Sequence, residues 1–250
     1  MTNNKPILSI VTPNLNGGDY LEETILSVIN QDYENIEYII IDGGSDDQSH
    51  EIIKKYMNKI DYFEIKKDRN MYEAIHYGFA KSKGEILAWI NSDDLYYPNC
   101  ISKVINKINT RKYSWINCIS SSLKNKKKFS YKIPFYFPTK YILQGKCHKS
   151  EYGFIPQESV FFSREIYLKA GGIPTKYNQS GDYYLWKELA KYSKLMPVNL
   201  HAGIFRKRKN QLTENPNIYY SEIKKNYKKS YNLYRYFVSI LYFLFNFYKL

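Results

Sequence analysis

The chain has 250 residues, 44% of them hydrophobic, which is enough to bury one substantial core and to build one large α/β domain with an appendage. Lys and Arg number 37 against 24 Asp and Glu, a formal charge of +13 that favours anionic partners such as nucleic acid, an anionic membrane or a phosphorylated substrate. Cys100, Cys118 and Cys147 are odd in number and lack CxxC spacing, which gives no reason to expect a disulfide framework or a zinc site. The apolar run 7–11 is too short for the hydrophobic segment of a secretory signal, so a cytoplasmic location is expected.

Short apolar runs alternate with helical patterns over the first hundred residues, as βαβ units feeding a parallel sheet do. Residues 7–12 read as a first strand. Asp19, with Glu22 as capping partner, opens a helix whose buried face is Leu21, Ile25, Val28 and Ile29. A second strand runs over 38–41 to Asp42. Ser45 with Gln48 repeats the capping pattern ahead of a helix burying Ile52, Ile53, Tyr56 and Met57. Residues 62–65 form a short third strand and 71–81 a third helix closed by Gly84; the apolar run 86–90 then delivers Asn91, Ser92, Asp93 and Asp94 before a turn at Pro98. From 124 to 149 the pattern is irregular and rich in Lys and aromatics. Order resumes with a strand over 156–162 and with helices from Arg164 and Asp182.

Ligands of open α/β sheets bind beyond the carboxyl ends of the strands, and polar clusters follow three strands here, at 14–18, 42–47 and 91–94. Asp93 and Asp94 are the most informative pair. Adjacent carboxylates repel, and at a strand end facing a cleft a divalent cation, Mg²⁺ or Mn²⁺, would neutralise them. A solvated turn or a helix cap is the simpler explanation of the pair taken alone.

The pair does not stand alone. The stretches SIVTPNLNGGDYLEETILSVINQ, YIIIDGGSDDQS, DRNMYEAIHYGFAKSKGEILAWINSDDLYYP and PQESVFFSREIYLKAGG, in this order, resemble the inverting family 2 glycosyltransferases of bacterial polysaccharide synthesis over roughly residues 5 to 215. The resemblance implies a GT-A (Rossmann-like) α/β fold with a central, mostly parallel sheet, a nucleotide-sugar donor, UDP-linked by family frequency, and a saccharide or polyprenyl-phosphate-linked acceptor. It places Asp42 on the donor base, with Thr12, Pro13, Asn14 and Asn16 lining the same pocket; Asp42 could equally cap the turn at Gly43 and Gly44. Asp68 and Arg69 match the polar segment beside the nucleotide, where Arg69 could offset phosphate charge.

Asn91, Ser92 and Asp93 occupy the family's Asp-x-Asp motif, so Asp93 inherits the metal contact, with Asp94 behind it, while Asn91 replaces the first Asp and could still contact ribose or bound water. Asp182 corresponds to the catalytic base that takes the acceptor's proton, and it also suits the helix N-terminus electrostatically. Gln157, Glu158 and Trp186 fall on the acceptor side, Glu158 being the second choice of base; Trp186, with Leu185 and Leu189, equally suits simple core. Phe205, Arg206, Gln211 and Thr213 match a late loop that closes over the donor phosphates, with Arg208 where a His is common.

Two units are expected: a catalytic domain over 1–215 and a basic, aromatic helical tail over 216–250. In the tail Tyr220, Ile223, Tyr227, Tyr231 and Tyr234 recur at helical spacing with Lys224, Lys225, Lys228 and Lys229 between them, ahead of an apolar run over 236–248 too short to span a bilayer. The tail is expected either to lie on the anionic inner face of the cytoplasmic membrane or to pack on its own domain. A donor-binding domain without turnover is the alternative function. A nucleic-acid-binding protein is a weaker one, for the sequence has no zinc spacing, helix-turn-helix or RNP-like strand.

Overall fold

The computed structural model describes residues 5–67, 70–108, 114–125, 127–130, 133–209, 211–226 and 233–246. The first half is β1 (Leu8–Asn14), α1 (Gly18–Ile29), β2 (Ile36–Asp42), α2 (Ser49–Lys55), β3 (Tyr62–Ile65), α3 (Met71–Lys81) and β4 (Ile86–Trp89). These strands are parallel in the order β3-β2-β1-β4, and the register sets Asn14 beside Asp42 at the carboxyl edge. Both faces of β1, β4 and most of β2 are covered, which is why these strands read as largely apolar runs, while β3 at the edge stays half-exposed. Val11, Ile39, Ile41, Leu87 and Trp89 enter one core with α3, while Leu8, Ile10, Tyr38, Ile40 and Ala88 enter the other with α1.

The second half contains β5 (Leu95–Tyr96), α4 (Ile101–Ile108), β6 (Trp115–Lys124), β7 (Lys127–Ser130), α5 (Thr139–Leu143), β8 (Val160–Ser163), α6 (Arg164–Lys169), α7 (Gly181–Leu189), β9 (Met196–Arg206), α8 (Pro216–Glu222) and α9 (Leu233–Asn246). The sheet continues β4-β8-β6-β9-β5 with β7 on β6, and this half is mixed: β8 is antiparallel to both β4 and β6, β9 parallel to β6, and β5 antiparallel to β9.

Several boundaries differ from the sequence reading for identifiable reasons. Neither expected capping pair caps its helix. Glu22 accepts from Tyr56 Oη, and Ser45 Oγ donates to Asp42, so both side chains serve tertiary contacts. α2 stops at Lys55, which leaves Met57 43% exposed. α3 keeps the expected span Met71–Lys81 but is capped by Ser82 rather than closed by Gly84. β6 escapes the apolar pattern because buried polar residues interrupt it: Asn117 donates to the Phe135 carbonyl, and Ser121 bonds Tyr97 Oη.

The tail is two helices, not one. α8 ends at Glu222, and Lys224 takes a left-handed backbone (φ 54°) that breaks the helix; Tyr227, Lys228, Lys229 and Tyr231 lie outside the described residues. Tyr219, Tyr220 and Ile223 are buried with Tyr183 of α7, so the polypeptide after 215 begins as part of the domain surface. α9 docks one side on the segment before α5: Tyr136 N donates to Ser239 Oγ at 3.0 Å, Tyr136 stacks on Tyr242 at 4.1 Å, and the Arg235 guanidinium lies 3.7 Å from the Phe135 ring centre. Among the described residues no helix is long and apolar enough to cross a membrane.

Candidate active site

The carboxyl ends of β1 and β2 are held together by Asp42. The residue is fully buried, and its oxygens accept from Asn14 Nδ2 (2.7 Å), Ser45 Oγ (2.7 Å), Ser45 N (2.8 Å) and Gly44 N (3.0 Å), with His50 Nε2 at 3.0 Å. Burial alone would raise its pKa, but the bonds from Ser45, Asn14 and His50 outweigh it and hold the carboxyl below its ordinary value. A carboxylate so committed braces the loop, which is the structural alternative to the donor contact expected of it. Thr12, also buried, bonds Tyr38 Oη. Asn16, in the left-handed region at φ 52°, accepts from Asp46 N, and Asn14 Oδ1 is buried without a partner. Gly17 permits this crowding, since a Cβ there would stand 2.3 Å from Asn14 Oδ1 and 2.6 Å from Ser92 Oγ. Asp68 and Arg69 lie outside the described residues.

Beyond β4 the chain turns at Asn91–Asp94, pinned by Thr24 Oγ1 of α1, which donates to the Ser92 and Asp94 carbonyls at 3.0 and 2.8 Å. The end of β9 closes on this turn. Arg206 N donates to Asp94 Oδ1 (2.8 Å), Arg206 Nε to the Asp93 carbonyl (2.8 Å), and its outer nitrogen to Glu23 (2.7 Å). Arg208 Nε donates to Asp93 Oδ2 at 2.7 Å, with Gln211 Nε2 on the same oxygen at 3.3 Å. Both guanidinium groups lie over the Tyr20 ring, 4.8 and 5.6 Å from its centre. Asp94 is fully buried and its pKa is pushed well up, by burial first and then by repulsion from Asp93 and Glu158.

From the turn before β8 Gln157 donates to the Trp89 carbonyl at 2.6 Å, and Glu158, buried, bonds Ser120 Oγ. Burial raises the Glu158 pKa, and repulsion from Asp182 adds to it. Asp182 stands in the first turn of α7, where Oδ1 accepts from Tyr183 N (2.7 Å) and Tyr72 Oη (3.3 Å). Its pKa is raised to about 6, chiefly by desolvation, with a smaller push from Glu222 and opposing pulls from the bonds to Tyr183 and Tyr72. Repulsion acts in pairs, between Asp93 and Asp94, between Asp94 and Glu158 and between Glu158 and Asp182, with Arg206 and Arg208 bonded at the Asp93–Asp94 end. Trp186 is 3% exposed and stacked between Trp89 (5.5 Å) and Trp115 (5.8 Å), so it is core rather than an acceptor surface.

Mg²⁺ keeps several waters and is bound through one or two carboxylates plus substrate phosphates. The residues present fit such an open site. Asp93 has one oxygen outside its bonds to Arg208 and Gln211, and in the same turn the Asn91 amide oxygen is buried and unpartnered. They do not fit a closed cage, since among the described residues no three His, Cys, Asp or Glu come together. Sequence reasoning missed Tyr72 and Glu222 as neighbours of Asp182: each sits on a helix where periodicity alone marks it as packing or surface.

A half-parallel, half-mixed sheet with acidic residues beyond β4 and at the start of α7 is the arrangement of a GT-A fold. The model of glycosyl transferase family 2 matches residues 9–170, and the chain belongs to that family. An uncharacterized glycosyltransferase of Rickettsia typhi is 42% identical over 104 residues, 42% of this chain and 32% of that protein. TuaG of Bacillus subtilis, whose name assigns it to teichuronic acid biosynthesis, is 30% identical over 106 residues, covering 41% of this chain and 42% of its own. The chain therefore spans less than half the length of these relatives. Among solved structures, TarS 1-349 of S. aureus in complex with UDP-GlcNAc superposes with a TM-score of 0.68 at 14% identity, over 84% of this chain and 61% of that one. The mannosyltransferase PcManGT of Pyrobaculum calidifontis, in complex with GDP-Man and Mn²⁺, gives 0.63 at 14% identity over 91% and 67%. At such identities these likenesses establish the fold.

Proposed function

We propose that this glycosyltransferase moves a sugar from a UDP-linked donor to a saccharide or polyprenyl-phosphate-linked acceptor with inversion, in the assembly of a surface polysaccharide such as capsule, O-antigen or lipopolysaccharide. The observation that carries this is Glu158, whose segment is bonded to the end of β4 through Gln157 and whose charge acts both on Asp94, in the carboxylate-and-arginine turn at 91–94 and 206–208, and on Asp182 at the start of α7. Asp182 accepts the proton of the acceptor hydroxyl as that oxygen attacks the anomeric carbon; a single displacement inverts it. Arg206 and Arg208 supply positive charge where the nucleoside diphosphate departs. Asp93 would hold Mn²⁺ or Mg²⁺, which supplies further neutralisation of the leaving group when bound. TuaG's assignment to teichuronic acid synthesis, and the UDP-GlcNAc and GDP-Man complexes of the two structural neighbours, support the donor and polymer class. A panel of UDP- and GDP-sugars, assayed for nucleoside diphosphate release with Mn²⁺ and with a chelator, tests the reading. A folded protein that binds and turns over none of them would overturn it.

Peripheral attachment to the inner face of the cytoplasmic membrane belongs to the same proposal. Its support is the outer side of α9, where Leu233 (82%), Phe237 (57%), Ile240 (37%) and Leu244 (66%) are exposed at helical spacing on a chain of charge +13. Replacing Phe237, Ile240 and Leu244 by Ser should lower co-sedimentation with phosphatidylglycerol vesicles by about tenfold or more, since about 0.8 kcal/mol is lost per buried CH₂. Donor turnover should be unchanged. Equal vesicle binding by the variant, or no binding by the parent even at low salt, would remove the anchor.

A further inference from the structure

We infer that Glu222, the last residue of α8, is a positioning residue for Asp182, an inference that rests on Asp182 being the base. The Glu222 carboxylate receives the three residues that lead into α7: Oε1 accepts from Asn178 N at 2.7 Å, and Oε2 from Gln179 N, Ser180 N and Ser180 Oγ at 3.1, 2.9 and 2.8 Å. Three successive backbone donors thus converge on one side chain immediately before Gly181 and Asp182.

The acceptor is itself fixed. Tyr184 Oη of α7 donates to the Glu222 carbonyl at 2.9 Å, and Tyr219, Tyr220 and Ile223 around it are buried with Tyr183. From the opposite side Tyr72 of α3 donates to the Gln179 carbonyl (3.0 Å) and to Asp182 (3.3 Å), and its ring lies under Gly181, where a Cβ would come within 2.6 Å. The loop carrying the base is therefore clamped between Tyr72 and Glu222.

Two consequences follow from the chemistry. Charge-assisted bonds to backbone N–H are stronger than neutral ones and hold the loop in one conformation, and a base misplaced by about 1 Å can cost on the order of 100-fold in rate. A second negative charge near Asp182 also strengthens it as a base. The groups facing Asp182 are Tyr72 from α3, Glu158 from the turn before β8, and Tyr219 and Glu222 from α8. Among these, Glu222 combines a charge with hydrogen bonds to the loop.

The test compares wild type, Glu222→Gln and Asp182→Asn for melting temperature, UDP affinity by calorimetry, and the pH profile of nucleoside diphosphate release from the sugar donor turned over in the panel. Glu222→Gln keeps the size of the side chain but removes its charge and presents NH₂ to at least one backbone donor. The expected result is a kcat lower by about tenfold or more, donor KM and UDP affinity within about twofold of wild type, and the acid limb of the profile displaced to lower pH. A purely structural role predicts a lower melting temperature with kcat per folded molecule and the acid limb unmoved, and that result overturns the proposal. Should Glu222→Gln not fold, Ser180→Ala, which deletes only the bond from Ser180 Oγ, and Glu222→Asp are read in the same assay; wild-type kcat in both overturns it. If Asp182→Asn alone keeps the wild-type rate and profile, the assignment of the base fails and takes the clamp with it. A fall in Asp182→Asn beside an unchanged Glu222→Gln confines the failure to Glu222.

Discussion

Asp182→Asn is expected to lower sugar transfer by at least about 100-fold while UDP affinity stays close to wild type, the typical loss when a positioned general base is removed. The amide is nearly isosteric, and its oxygen can still accept from Tyr183 N and Tyr72 Oη, so the loop geometry survives. It cannot accept the acceptor's proton. The pH profile gives a second reading. A base works in its ionised form, and the Asp182 pKa is raised to about 6, so kcat in the wild type should fall about tenfold per unit as the pH drops below about 6, and this limb should vanish in the variant. The stability sign is opposite. Because the fold favours the protonated form relative to the unfolded chain, the stabilisation from Asp182 is full below its unfolded value and lost as the pH rises through about 6. At pH 8 the neutral Asn should therefore leave the melting temperature no lower than wild type. A variant that retains both rate and acid limb would move the role to Glu158, the buried carboxylate that Asp182 repels.

Asp93→Ala is expected to weaken UDP binding in Mn²⁺ by at least about 100-fold, equivalent to about 2.7 kcal/mol, and to abolish transfer. The residue contributes in two ways. Its free oxygen is the protein ligand proposed for the cation, and its other oxygen holds Arg208 and Gln211, the arms of the loop that follows β9. Calorimetric titration of UDP with Mn²⁺ and with chelator separates these roles. Loss confined to the Mn²⁺ arm identifies the cation contact, and equal loss in both arms identifies the ordering of Arg208. Unchanged or tighter binding in Mn²⁺ by a folded variant would take Asp93 out of metal binding and leave diphosphate neutralisation to a released Arg208.

The two variants differ in what they disturb. Asp93 lies where several elements meet, so its loss frees Arg208 as well as the cation site, whereas Asp182 is clamped by neighbours that its amide still satisfies. The tail experiment follows the same reasoning: a cut at residue 217 would delete Glu222 and the buried Tyr219, Tyr220 and Ile223, so membrane attachment is better tested by substitutions on the exposed side of α9.

The order of elements through the first hundred residues was legible in the sequence because β1, β4 and most of β2 are buried on both faces and each helix on one, which leaves periodic apolar patterns; residues 71–81, and 62–65 at the half-buried sheet edge, are found with the boundaries expected. The polar clusters after β1, β2 and β4 were legible for a related reason, since polar residues interrupt such runs only where a strand leaves the sheet. Pattern alone could not reach the contacts between distant segments. β6 was hidden by buried Asn117 and Ser121, whose partners Phe135, Tyr97 and Ser130 are brought to them by the fold. Asp42 reads equally as a ligand contact or a brace until its hydrogen bonds to Asn14, Ser45 and His50 are seen. Glu222 is one acidic residue in a basic tail until its carboxylate meets the backbone N–H groups before Asp182. Local sequence determines which segments bury apolar faces, because that depends on residues three, four or two positions apart; which carboxylate becomes a base, a brace or a clamp depends on donors brought from elsewhere in the chain, and only the tertiary structure decides that.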